Sequence, residues 1–352
     1  MSDQSSFQPL NILFGSACNL KCGYCLQQDG TPKVNKKADL NEFLWNFWKY
    51  LNRTEKKFSS VHYWGGEPML YWKRIKEVYK FIAPLIQAKR HRITTNGTLI
   101  TKEYIDFCNS YPDIFTVVSF HDGRITDDKW RLIGKLNHFS IEALIHHKRV
   151  SPLMLRDDYE RICDLMGKRP PIGFDMIKAN DGCHSDYWMT GEDLCDYFAS
   201  MVLIYELANI KKDPFCQAVI AQFLYRYRKD LKYKGIKPNP CVNSHILSID
   251  LFGNTYNCHH NNSPENITGN IFNPDFIPPK PISFNLSRFS STTDCRNCKT
   301  YPSCGGGCYT SNTHEIDCFY YKTREELAKL WLEELEKHER ETSRICEGLQ
   351  RP

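Results

Sequence analysis

The chain has 352 residues, enough for one large domain or two moderate ones with a buried core, and its 41% hydrophobic and 25% charged residues are those of a globular protein in water. A net charge of +5 suits an acidic peptide or a negatively charged small molecule, and the densest basic cluster, Lys89, Arg90 and Arg92, is too thin to imply nucleic acid. No stretch reaches the roughly 20 apolar residues of a membrane span, and the polar start MSDQSSFQPL carries no signal peptide, so no membrane partner and a cytoplasmic location are expected.

In chain order, strands are predicted at Asn11–Phe14, Val61–Trp64, Arg92–Thr95, Phe115–Phe120, Ser140–His146 and Ile172–Ile177. Amphipathic helical stretches such as Leu40–Leu51, Trp72–Ala88 and Lys102–Ser110 lie between them. This alternation implies βαβ units, a parallel sheet and an α/β fold: a partial (β/α)6 TIM-like barrel over residues 1–180, with its chemistry at the C-terminal strand ends. Two helices, Glu192–Lys212 and Pro214–Lys232, form a bridge within residues 181–240, which ends in the loop KGIKPNP. Residues 241–320 are turn-rich and cysteine-dense, with little regular core of their own, and metal clusters are a natural supply of staples. A C-terminal helix fills 321–352, with Thr323 and Glu326 fitting a capping box and Leu327, Leu330, Trp331 and Leu335 on one face.

Sixteen cysteines in a reducing compartment point to metal ligation rather than disulfides. Cys108, Cys163, Cys183, Cys195, Cys216 and Cys346 are scattered and read as small buried hydrophobes. Cys18, Cys22 and Cys25 fall within eight residues, directly after the first strand. Three thiolates in one loop can hold three irons of a cubic four-iron cluster and leave the fourth open. A zinc knuckle would need a fourth ligand, which only a residue such as His62 folding back would supply.

The loop Cys18-x3-Cys22-x-Tyr24-Cys25 resembles the signature of the radical S-adenosylmethionine (radical SAM) superfamily. WGGEP (Trp64–Pro68) follows the second strand and resembles the GGEP motif of that family, where Gly65, Gly66, Glu67 and Pro68 would receive the methionine ammonium. The glycines allow close backbone approach, and a carboxylate offers a charge-assisted hydrogen bond. TTNGT (Thr94–Thr98) and SFHDG (Ser119–Gly123) are similar to the third- and fourth-strand motifs. By that resemblance Tyr24, Thr95, Asn96 and Ser119 join the cofactor site. The resemblance implies S-adenosylmethionine as cofactor and a 5′-deoxyadenosyl radical that takes hydrogen from a substrate carbon.

Further on, Cys241-x11-Gly253-x4-Cys258, Cys295-x2-Cys298-x5-Cys304-x3-Cys308 and Cys318 resemble the seven-cysteine SPASM pattern, although the inner spacing alone would also suit a double zinc ribbon. The resemblance implies two auxiliary [4Fe-4S] clusters, three in all. Cys241, Cys258 and Cys308 would hold one, and Cys295, Cys298, Cys304 and Cys318 the other. Sulfatase-maturing relatives complete the first with an extra cysteine; here VNSHILSID follows Cys241, with His245, His259 and His260 nearby, so an open iron is expected.

Together these imply a maturase that oxidises or cross-links a peptide or protein substrate. It would be reduced by a flavodoxin or ferredoxin, with leader recognition by a separate protein or by the barrel and bridge surfaces. An anaerobic sulfatase maturase forming formylglycine, a small-molecule radical SAM dehydrogenase and a non-catalytic metal-binding module are the alternatives. Asp122, His121 and Asp175 at strand ends are the acid–base candidates, and Asp186 and Tyr187 candidates for a substrate channel.

Overall fold

A computed structural model describes residues 7–25, 38–54, 57–86, 88–120, 123–177, 184–231, 246–258, 264–276, 298–304 and 314–349. Strands and helices alternate through the first half: β1 (Phe7–Leu13), α1 (Leu40–Thr54), β2 (Lys57–Trp64), α2 (Trp72–Ile82), β3 (His91–Thr95), α3 (Lys102–Ser110), β4 (Ile114–Ser119), α4 (Asp127–Ile133), β5 (Phe139–Ile145), α5 (Arg156–Met166) and β6 (Ile172–Met176). There follow α6 (Gly191–Ile210), α7 (Pro214–Leu231), β7 (Leu247–Asp250), β8 (Asn254–Tyr256), β9 (Ile267–Asn270), the short α8 (Tyr301–Cys304) and α9 (His314–Leu349).

The six predicted strands are all present, and consecutive ones pair in parallel from β1 to β6, giving the partial TIM-like barrel expected. Alternation along the strands sets the two faces. In β5, Phe139, Ile141, Ala143 and Ile145 are buried, while Ser140, Glu142 and Leu144 face the half-open lumen. The buried face meets a helical layer through Phe43, Phe47, Ile75, Val78, Tyr104, Trp130 and Tyr159. Local chemistry fixes the helix ends. Thr101 and Thr126 cap α3 and α4 by accepting from backbone N–H groups, and Gly167, at φ 67°, ends α5 in the left-handed conformation.

Four expectations change. Helix α2 stops at Ile82 rather than Ala88, because Pro84 has no N–H to continue the ladder. The C-terminal helix starts at His314, so Thr323 lies inside it and caps nothing. On that helix Trp331 is buried, stacked on Tyr205 with ring centroids 4.6 Å apart, whereas Leu330 is 60% exposed; one helical step of about 100° carries it off the docking face. Cys195 is exposed on α6, unlike the buried Cys108, Cys163 and Cys216. The side chains of Cys183 and Cys346 lie outside the described residues.

The cysteine-dense region also contains strands that its sequence does not advertise. β7 pairs in parallel with β1, on the side opposite β2, and β8 and β9 add antiparallel neighbours. They are three or four residues long, too short for a period-2 pattern to stand out. Asp250 shapes their first turn: its Oδ1 accepts from the N–H groups of Phe252 and Asn254, and Gly253 supplies φ 79°.

Behind β3, His91 is 1% exposed, with Nδ1 2.8 Å from the Tyr63 hydroxyl and Nε2 3.6 Å from Asp113, which accepts from Tyr79. Burial pushes the imidazole pKa down to about 4, against the pull of Asp113. The unfolded chain, with an ordinary histidine near 6.5, binds more protons between those values. Stability from this group is therefore fully present above about pH 6.5 and lost as pH falls towards 4. Urea unfolding at pH 7 and pH 5 should show a smaller loss on acidification for His91→Gln than for the wild type.

Candidate active site

The loop after β1 is fastened to the loop after β2. Phe14 N–H donates to the Trp64 carbonyl at 2.8 Å, Gly66 N–H to Gly15 at 3.0 Å, and Glu67 N–H to Ala17 at 2.9 Å. The Tyr71 hydroxyl accepts from Ala17 N–H at 2.9 Å. This approach requires glycine at 66: a Cβ there would lie 2.4 Å from the Ala17 carbonyl oxygen.

Within the loop Cys18 is exposed, Cys22 buried and Cys25 half-buried. Leu20 N–H donates to Cys18 Sγ at 3.4 Å, and Arg124 Nη1 to Cys22 Sγ at 2.9 Å. Burial pushes the Cys18 thiol pKa up, the Leu20 N–H pulls it down, and nearby Glu67 and Cys22 add to the rise. Among the described residues no three His, Cys, Asp or Glu side chains converge tightly enough to hold a metal ion, and that includes these three thiols. Their donor chemistry still fits an iron–sulfur cluster: three soft sulfur ligands at one strand end, one of them already hydrogen-bonded by a cation.

Glu67 is 1% exposed and fully engaged. Its Oε1 accepts from Met69 N–H at 2.9 Å and the Thr95 hydroxyl at 2.6 Å; its Oε2 accepts from Asn96 N–H at 2.8 Å. Burial raises its pKa, opposed by these donors. Pro68 opens the 3-10 turn that Glu67 caps. The carboxylate thus ties the end of β2 to the end of β3. Asn96 extends the tie: its Nδ2 donates to Asn19 at 2.9 Å and stands 4.0 Å from Cys18 Sγ, and its Oδ1 accepts from Thr98 N–H at 3.0 Å. Asn19, in turn, donates to the Thr98 hydroxyl at 2.9 Å. Asn19, Thr98 and Arg124 are site residues that the sequence reading did not single out: Asn19 is a variable position of the cysteine loop, Thr98 closes the TTNGT segment, and Arg124 falls one residue beyond SFHDG.

Tyr24 stacks on His146 with centroids 5.7 Å apart and meets Tyr187 edge-on at 5.5 Å. Burial pushes its phenol pKa up. Tyr187 also fills the space that a Cβ on Gly23 would occupy, 2.7 Å away, and Lys148 lies over its ring at 4.5 Å. His184 N–H donates to the Gly23 carbonyl at 3.1 Å. The start of the bridge therefore packs on the cysteine loop, which accounts for Tyr187. Asp186 is 3.8 Å from Lys148.

Ser119 ends β4 in register with Glu142 of β5, whereas His121 and Asp122 lie outside the described residues. Asp175 stands on the lumen side and takes Arg226 Nη1 from α7 at 2.6 Å. Arg226 Nη2 reaches Glu142 at 2.5 Å, and Arg92 Nη2 reaches the other oxygen of Glu142 at 2.9 Å. Glu142 is the more buried acid, so burial first and the Asp175 charge second push its pKa up to about 7, against the two guanidiniums. Asp175 is raised by burial but held lower overall by Arg226. Neither Glu142 nor Arg226 stands out in sequence, because their partners are distant in the chain.

Of the second cysteine group, Cys258 follows β8, Cys298 and Cys304 bracket α8, and Cys318 lies in the first turns of α9; all four are half-buried. Cys241, Cys295, Cys308, His245, His259 and His260 lie outside the described residues.

Residues 12–165 match the family model of the radical SAM superfamily. The chain carries a radical SAM domain. That domain spans β1 to α5 and contains the cysteine loop, the Glu67 tie and the Asn96 network. A serine-type anaerobic sulfatase-maturating enzyme of Bacteroides thetaiotaomicron is 22% identical, over 86% of this chain and 83% of that protein. Among solved structures, anSMEcpe with bound AdoMet and Kp18Cys peptide superposes with a TM-score of 0.65 at 18% identity, covering 94% of this chain and 99% of that one. Streptococcus suis SuiB bound to precursor peptide SuiA gives 0.57 at 17% identity, covering 87% and 72%. At these identities the two structures establish a shared fold. Among the described residues no helix is long and apolar enough to cross a membrane.

Thr95→Val keeps the shape of the side chain and removes one donor from the buried Glu67. It should destabilise the protein by about 1–3 kcal/mol, read as a lower urea midpoint with an unchanged slope.

Proposed function

We propose that this radical SAM enzyme is a peptide maturase: it uses S-adenosylmethionine to abstract hydrogen from a residue of a peptide or protein and leaves a cross-link or an oxidised side chain. The observation that carries the reading is the joined mouth of the barrel, where the cysteine loop, the GGEP turn and the Asn96 turn share one hydrogen-bonded framework. Cys18, Cys22 and Cys25 would hold the cluster that binds the cofactor. Bound there, cluster and cofactor together supply one electron and the hydrogen-abstracting 5′-deoxyadenosyl group.

The rest of the work belongs to the chain. Gly65 and Gly66 give backbone room for a ligand, and Glu67, which accepts three internal hydrogen bonds, holds that backbone in place beside the expected position of the methionine ammonium. Tyr24, His146 and Tyr187 pack together behind the Cys22–Cys25 end of the loop and hold it in place. Ser119, Asn96 and Thr95 stand at the ends of β3 and β4, beside the cofactor's expected place. The half-open lumen, with Glu142 and Asp175 on its wall, would receive the substrate residue. Cys241, Cys258 and Cys308, and Cys295, Cys298, Cys304 and Cys318, would hold two auxiliary clusters within residues 241–320, which would accept the second electron that the substrate loses after hydrogen abstraction.

The peptide part of the reading draws support from the fold shared with two proteins solved with peptides, Kp18Cys and SuiA. A reducing partner such as flavodoxin or ferredoxin, a separate leader-binding protein and a cytoplasmic setting complete the proposal. Formylglycine formation is the second reading, favoured by the relative that aligns across most of the chain.

The test begins with protein reconstituted without oxygen. About twelve irons per chain, as three cubic clusters require, are expected, with 5′-deoxyadenosine formed once dithionite and S-adenosylmethionine are added. Cys22→Ala should lose about four irons and all cofactor cleavage. Zinc in place of iron, or full clusters that leave the cofactor intact, would refute the reading. Formylglycine in a sulfatase-type peptide carrying Cys or Ser would decide for the second reading.

A further inference from the structure

Arg124 lies outside every motif that led to the site, yet it contacts Cys22, the middle cysteine of the loop. It is placed by the fold and not by chance of a long side chain. Gly123, at φ 62°, turns the chain after β4; Ile125 is buried against Gly97; and Thr126 caps α4 two residues past the arginine. These three neighbours fix where Arg124 starts. From there its Nη1 donates to Cys22 Sγ at 2.9 Å. Its charge, with that of the buried Arg149, is also felt at the Tyr24 hydroxyl.

Cys22 is the cysteine of the loop that water reaches least, at 8% exposure. A thiolate there gains little from solvent, and a cluster attached to it would resist the extra negative charge of reduction. A guanidinium hydrogen bond to that sulfur offsets this, because it stabilises the reduced form more than the oxidised form and raises the reduction potential. Low local dielectric makes one such contact matter more than it would in water. The rigid fork of arginine holds the donor on the sulfur, whereas a lysine would offer a mobile, strongly hydrated point charge.

We propose that Arg124 is a positioning residue for electron entry: hydrogen-bonded to the Cys22 sulfur, it raises the reduction potential of the cluster held by Cys18, Cys22 and Cys25. This rests on the reading of those cysteines as cluster ligands. It assigns to the turn after β4 a role in setting how readily the enzyme is reduced, separate from binding the cofactor or the substrate.

The test uses the full chain, reconstituted without oxygen and labelled with 15N-arginine, followed by electron paramagnetic resonance during a redox titration. The signal that changes on adding S-adenosylmethionine identifies the cluster of this loop. A 15N coupling to that reduced cluster is expected in the wild type and should be lost in Arg124→Gln. The midpoint potential of the variant should shift to more negative values at equal iron content, with Arg124→Lys recovering part of the shift. An absent arginine coupling in the wild type overturns the proposal, whatever the variants do. So does an unchanged potential in Arg124→Gln accompanied by weaker S-adenosylmethionine binding, which would make Arg124 a cofactor-binding residue. A wild-type chain that takes up no iron would instead refute the reading beneath it.

Discussion

The barrel mouth depends on one buried carboxylate. Glu67 takes three hydrogen bonds from two strand ends, and its own N–H reaches back to the cysteine loop. Three separate loops are thereby held in one arrangement. Each would be mobile alone, since a loop at a strand end has few apolar contacts to order it. Burying an acid is costly unless its oxygens are satisfied, and here Met69, Thr95 and Asn96 satisfy them. The motif reading assigns this glutamate to a ligand. Its geometry gives it first a structural duty, on which the placing of the three thiols rests.

The lumen is organised by a different kind of contact. Arg226 comes from α7, outside the barrel repeats, and sits between Glu142 and Asp175. Arg92 holds Glu142 from the other side. The helical bridge therefore contributes charge to the barrel interior as well as cover. Burial and the neighbouring acid push the pKa of Glu142 up, and the two guanidiniums oppose that rise.

Much of this was legible in the sequence. The six parallel strands follow from apolar runs set between amphipathic segments, and the cysteine loop and GGEP turn announce themselves by residue type and spacing. What was hidden has three causes. Arg124, Arg226 and Glu142 act through partners 50 to 102 residues away, and nothing in local composition marks them. β7 to β9 are too short to show a period, and α9 begins nine residues ahead of the capping signal at Thr323. The exposure of Cys195 and Leu330 is decided by which side of a helix docks, which depends on packing.

The pairing of β1 with strands on both of its edges bears on how the chain is made. One neighbour, β2, follows closely in synthesis. The other, β7, lies far downstream: Asn11 and Ser248, joined side chain to side chain, are 237 residues apart. After β1 leaves the ribosome it would therefore keep one edge open until its partner, 237 residues further on, had been translated, and unpaired edges invite association with other chains. Closing so long a loop is slow. The barrel can gather strand by strand, but the second edge of β1 is covered only when the cysteine-rich region arrives.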